Sequence, residues 1–165
     1  MHNRGKLKLK FLGSLVGAAI GDGLGSWREG KGMAKREEID PETFLLKLQN
    51  FAQNQLYKEK IANIKELLGE QNKARVVATL GNGIEAPRSV PTAIYSFLKH
   101  SSAYKDSIVY AISLGGDTDT IASMAGAISG AYLGIEAIPE EWKAKLENRA
   151  YIEALAEELW QIATS

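Results

Sequence analysis

No cysteine occurs in these 165 residues, so disulfides and thiolate metal sites are excluded. A metal site would have to be built from oxygen ligands or from the two histidines. Net charge is missing as well. Twenty basic and twenty acidic side chains cancel, which leaves no electrostatic footprint for nucleic acid and no pull toward an acidic membrane. No run approaches the roughly 20 apolar residues of a membrane span. Runs of alternating or β-branched residues bounded by turn signals are lacking too, which argues against a sheet.

What is present has a helical period. The expected fold is all-α, and the length suits one domain, residues 1–165. Near the start, Arg4, Lys6, Lys8 and Lys10 precede the apolar run Phe11 to Ile20, as in a secretory signal. The same run carries Gly13 and Gly17, and Gly21 and Gly25 continue the spacing of four, which also suits a closely packed helix. A weakly patterned, charged stretch over 31–39 reads as a join.

Asp40-Pro41-Glu42 then predicts a helix start, with Phe44, Leu45, Leu48, Phe51 and Leu56 as its buried stripe. Ile61, Ile64, Leu67 and Leu68 predict a second helix, closed by a left-handed Gly69. Val76, Val77 and Leu80 predict a short helix ending at Gly81-Asn82-Gly83, and Ser89-Val90-Pro91 the start of the next. Asp106 is the expected cap of a helix through Ile108, Val109, Ile112 and Leu114. A long helix should follow Asp117, with Gly126, Gly130 and Gly134 repeating the spacing of four and offering a face for the glycine-spaced first helix. Pro139-Glu140-Glu141 opens a short helix, and Ile152, Leu155, Ala156, Leu159 and Trp160 predict a last amphipathic one.

The chemically interesting stretch is Asp117-Thr118-Asp119-Thr120, two carboxylates two residues apart after the Gly115-Gly116 hinge. At a helix start these groups can cap orphan amides, or they can point oxygens at one spot as Mg²⁺ or Ca²⁺ requires. Spacing alone leaves both readings open. Glu29 can be a solvated loop acid, Asn82 with its glycines a turn, and Asp22 a cap. His100, at an expected helix end, suits a dipole partner better than a ligand.

The segment Ser113-Leu114-Gly115-Gly116-Asp117-Thr118-Asp119-Thr120-Ile121-Ala122, continuing through Ala125-Gly126-Ala127-Ile128-Ser129-Gly130, resembles the C-terminal metal-binding signature of the ADP-ribosylglycohydrolase superfamily. Leu80-Gly81-Asn82-Gly83-Ile84 with Ser89-Val90-Pro91-Thr92-Ala93-Ile94-Tyr95 is similar to its ADP-ribosylserine hydrolase branch. Gly17-Ala18-Ala19-Ile20-Gly21-Asp22-Gly23-Leu24-Gly25, ending at Glu29, resembles the family's N-terminal motif. The resemblance spans residues 11–30 and 40–163.

It implies an all-α domain holding two Mg²⁺ ions, and hydrolysis of ADP-ribose from serine on proteins, with ADP-ribose polymers and O-acetyl-ADP-ribose as further substrates. It implies ADP-ribosylated proteins and ADP-ribose as partners, and the nucleus, cytoplasm or mitochondrion as location. By matching position, Asp117, Asp119 and Thr120 would be metal ligands and Glu29 a metal ligand and catalytic acid. Asn82, Gly83 and Ile84 would contact the ligand.

The sequence departs from the family between its matched ends. The family's Thr-Asp-Asp metal motif has no counterpart, since no Asp-Asp pair occurs, and its glycine-rich diphosphate segment is absent. Weakened metal binding and uncovered apolar helix faces are therefore expected. The alternative function is a non-catalytic remnant or isoform that binds ADP-ribose weakly or serves a structural role.

Overall fold

The computed structural model describes residues 38–152, together with Ala154 and Glu158. The N-terminal motif with Asp22 and Glu29, the join up to residue 37 and most of the last amphipathic segment lie outside the described residues. Among the described residues the secondary structure is helical, without strands. The chain forms α1 (Pro41–Phe51), α2 (Gln55–Leu67), α3 (Lys73–Leu80), α4 (Ala86–Lys99), α5 (Tyr104–Ser113), α6 (Thr118–Leu133), a 3-10 turn at Ile135–Ala137 and α7 (Glu140–Lys143). The all-α expectation is met. No described helix is long and apolar enough to cross a membrane.

Asp40 caps α1 as its chemistry requires, its carboxylate accepting from the Glu42 and Thr43 amides with Pro41 in the first turn. The stripe of α1 is shorter than its spacing suggests. Leu45 is buried and Phe44 and Leu48 pack beside it, but Phe51 is 69% exposed and Leu56, beyond the helix end, belongs to the exposed start of α2. Asn54 caps α2 and ends the α1 period before it reaches Leu56. At the other end of α2, Gly69 keeps an ordinary φ. The closing residue is Leu68 in the right-handed region, and the Glu70 amide then turns back to the Leu67 carbonyl.

Helix α4 is the centre of the molecule. Residues 91–98 are buried on every side, and Phe97 meets Phe44 of α1 edge-on at 6.1 Å and Tyr132 of α6 at 5.6 Å. A helix buried all round must satisfy its own hydroxyls. Ser96 Oγ donates to the Thr92 carbonyl at 2.8 Å, and Ser89 Oγ donates to the Glu85 carbonyl at 3.3 Å. The helix starts at Ala86, a turn earlier than Ser89-Val90-Pro91 suggests, because Pro87 takes the first turn and Pro91 sits inside.

Helix α5 likewise starts at Tyr104, which puts Asp106 in its first turn and not at its cap. The glycine face of α6 meets α5 among the described residues, and the glycine-spaced first helix expected against it lies outside them. Gly126 lies against Tyr104 and Ile108, and Gly130 against the Tyr104 ring, so the missing side chains let α5 approach α6 closely. Ser129 and Ser107 share a buried hydrogen bond of 3.0 Å across the same seam. Where the described chain begins, the Ile39 amide donates to the Tyr132 hydroxyl at 3.0 Å and ties the entry of α1 to the end of α6.

Candidate functional site

Two connections meet at one point: the loop from α3 to α4, residues 81–85, and the hinge from α5 to α6, residues 114–117. Asn82 joins them. Its carbonyl accepts from the Asp117 amide at 2.8 Å, and its side-chain amide donates to the Leu114 carbonyl at 3.0 Å. The fit leaves no room at the hinge. A methyl group at Gly116 would lie 2.0 Å from the Asn82 carbonyl oxygen, and φ there is +72°, so only glycine closes this contact.

The loop is held from behind as well. Thr92, fully buried on α4, places its hydroxyl 2.6 Å from the Gly81 carbonyl and 3.0 Å from the Arg88 carbonyl. Lys60 of α2 donates to the carbonyls of Thr79 and Leu80, the last turn of α3. Both groups fix where Asn82 sits. Sequence reading gave neither a role; the signal available for Thr92 was a hydroxyl at the centre of a helix whose neighbours Val90, Ala93 and Ile94 are apolar.

Asp117 stands at the N-cap position of α6, yet its side chain makes no capping hydrogen bond. This separates it from Asp40, where the capping bonds are made. Asp119 lies one residue into the helix and is exposed. A hydrogen bond with the Asp117 carboxyl, then the Thr120 amide at 2.9 Å, holds the Asp119 carboxyl below its ordinary range. Thr120 is exposed beside it. Ile84, on the loop that Asn82 anchors, is 80% exposed.

The structure brings Asn82 against Asp117, with Gly83 and Ile84 following on the loop and Asp119 and Thr120 on the first turn of α6, and Glu29 lies outside the described residues. The donor chemistry at Asp117 and Asp119 fits a hard divalent cation in kind, because two carboxylates in contact favour a positive partner. In number it is one side of a site. Among the described residues, no three His, Cys, Asp or Glu side chains gather to hold a metal ion.

His100 ends α4 as expected, but not as a charged dipole partner. Its Nε2 is buried without a hydrogen-bond partner, its ring lies 5.1 Å from Tyr110, and desolvation pushes its pKa down. The neighbouring Lys99 charge acts in the same direction and Asp106 opposes it.

Residues 33–165 match the family model described as ADP-ribosylglycohydrolase. The chain belongs to the ADP-ribosylglycohydrolase family. It is 45% identical over 118 residues to the ADP-ribosylhydrolase ARH3 of Bos taurus and to that of Homo sapiens, in each case across 64% of this chain and 32% of the relative. It is also 36% identical over 64 residues, 39% of this chain and 17% of the relative, to the ADP-ribosylarginine hydrolase Tri1 of Pseudomonas putida. The chain thus spans about a third of the length of the ARH3 proteins it matches. In this chain the loop that carries Asn82 and the turn that opens α6 are joined directly, through the Asn82 bonds to Asp117 and Leu114.

Proposed function

We propose that this chain is a Mg²⁺-dependent hydrolase that removes ADP-ribose from serine on proteins, and that ADP-ribose polymers and O-acetyl-ADP-ribose are further substrates of the same site. The observation that supports the reading is the hydrogen bond between the Asn82 carbonyl and the Asp117 amide, which joins the loop to the helix start where the Asp117 side chain makes no capping bond. Asp117, Asp119, Thr120 and Glu29 would hold metal, with waters in the positions that the absent Thr-Asp-Asp motif leaves open, and Glu29 would also be the catalytic residue. Bound Mg²⁺ would hold ribose hydroxyls and offset the charge that develops as the glycosidic bond breaks.

The chain's own residues supply the rest. Ile84, exposed on a loop pinned through Asn82, offers an apolar surface to the ribose or adenine. Thr92 and Lys60 keep that loop in register with the hinge, so a ligand touching both meets a prepared surface. Release of ADP-ribose from a serine-modified peptide with Mg²⁺, compared with an Asp117→Ala/Asp119→Ala double variant, tests the reading. Release that the variant loses supports it.

A second reading, a non-catalytic ADP-ribose binder, is favoured by one observation: among the described residues no third acidic side chain joins Asp117 and Asp119. Under that reading ADP-ribose binds the folded chain and no product forms. The same peptide assay, run beside a binding titration, separates the two.

A further inference from the structure

Arg88 stands on the first turns of α4, immediately behind the loop that carries Asn82. Its side chain runs along that loop on both sides of Asn82. Its Cβ and Cγ lie 2.7 and 2.8 Å from where a methyl group on Gly81 would be, and its Cδ and Nη1 lie 3.4 and 3.8 Å from the same point on Gly83. Two glycines thus make the bed in which this arginine lies. The guanidinium is left mostly in solvent, and its ion pair with Glu85 is long, 3.9 Å between Nε and Oε2, with both side chains about 60% exposed. An exposed pair of this kind holds its partners weakly.

The Asn82 carbonyl is bonded to the main-chain amide of Asp117, whose carboxyl is hydrogen-bonded to that of Asp119. Any ligand with a phosphate group that reaches those acids is repelled by them, and a cation on the approach offsets that repulsion. Lys60, which lies beside the end of α3, is committed to main-chain carbonyls. Arg88 has a planar fork of donors suited to phosphate oxygens and only a weak, replaceable partner.

We propose that Arg88 is a further ligand-binding residue of this site, receiving the diphosphate of an ADP-ribosyl group by exchanging its Glu85 partner for phosphate oxygens. The inference rests on the ADP-ribose reading above for the identity of the ligand, and on the placement of Arg88 for its role. Glu85 is then a gate on affinity: it orients the guanidinium in the free protein and competes with the ligand for it.

The test is calorimetric titration of the 165-residue chain and its Arg88→Gln, Arg88→Lys, Glu85→Gln and Asp117→Ala variants with ADP-ribose, ADP and adenosine. ADP carries the diphosphate without the distal ribose, and adenosine carries neither. Arg88→Gln should weaken ADP-ribose and ADP by about tenfold and leave adenosine unchanged, the size expected for one charge-assisted contact. Arg88→Lys should recover part of the loss, and Glu85→Gln should tighten both phosphate ligands by about threefold.

Arg88→Gln binding ADP and ADP-ribose like the parent, with an unchanged thermal midpoint, overturns the proposal and leaves the ADP-ribose reading standing. Asp117→Ala binding ADP-ribose like the parent, while Arg88→Gln still loses ADP, overturns the reading and leaves Arg88 as a diphosphate contact. No heat from the parent chain with either phosphate ligand at millimolar concentration overturns both.

Discussion

The main-chain amide of Asp117 is bonded to the carbonyl of Asn82 at 2.8 Å, although 35 residues of chain and two helices separate them. Through this one bond the turn that opens α6 and the loop that opens α4 share a position. A change that breaks it should move both pieces at once.

Gly116→Ala is the sharpest such change. The added methyl would overlap the Asn82 carbonyl oxygen at 2.0 Å, in a backbone conformation with positive φ. The expected cost is at least about 2 kcal/mol. Gly115→Ala has a similar φ of +71° but meets only the Asn82 side chain at 3.9 Å, so its cost should stay near about 1 kcal/mol. Urea unfolding of the two variants checks the order, and equal losses would contradict the Asn82 contact.

Asp40 and Asp117 occupy the same position relative to their helices but differ in use. Asp40→Ala removes capping bonds to Glu42 and Thr43 and should lower the thermal midpoint. Asp117→Ala removes no capping bond and should leave the midpoint close to the parent's while changing the response to Mg²⁺ and ADP-ribose. Scanning calorimetry with and without ligand reads both effects. A large loss for Asp117→Ala in the absence of ligand would return that residue to a structural role.

His100 gives the fold a pH dependence with a definite sign. Its folded-state pKa is pushed down by desolvation, so the unfolded chain takes up a proton first as pH falls. The contribution is fully present above the unfolded value, near 6.5, and is lost as pH drops from there through the depressed folded value. Lys99 adds to the depression and Asp106 opposes it. His100→Phe should flatten the stability profile below neutrality, read as denaturation midpoints from pH 7.5 to 5. An unchanged slope would contradict the burial of Nε2.

The seam between α5 and α6 predicts opposite signs at neighbouring glycines. At Gly130 a methyl would meet the Tyr104 ring at an ordinary 3.8 Å, so Gly130→Ala should gain helix propensity and stabilise by up to about 1 kcal/mol. At Gly126 even a methyl would come within 3.1 Å of the Tyr104 hydroxyl. Gly126→Leu should therefore destabilise by roughly 2 kcal/mol or more. Thermal midpoints of the two variants decide it.

Helix content was legible in the residues, and so was the cap at Asp40, but not the caps expected at Asp106 and Gly69. Asp40-Pro41-Glu42 and Pro139-Glu140 open helices because their local chemistry is sufficient to do so. Boundaries set by tertiary packing were less legible. The start of α4 moved to Ala86, with Pro87 in its first turn and Pro91 inside, while Ser89, Thr92 and Ser96 bond backward to the helix's own carbonyls. Phe51 and Leu56 fit the period of α1 but not its burial, because no periodicity states where a helix loses its neighbour.

At the site, the spacing Asp117-Thr118-Asp119-Thr120 showed two carboxylates at a helix start but could not separate cap from ligand. The structure adds that the Asp117 side chain makes no capping bond, which speaks against the cap. The partnership with Asn82 is a contact between distant residues and has no local signature. The resemblance gave the two segments separate roles, and the hydrogen bond between them is found only in the structure.

The most direct measurement is a backbone amide NMR titration of the isotopically labelled chain with ADP-ribose in the presence of Mg²⁺. One site made of both pieces predicts that the amides of Asn82, Gly83 and Ile84 shift together with those of Gly116 through Thr120, along a single saturation curve. Shifts confined to one segment, or no shifts in either at millimolar ligand, would contradict the account.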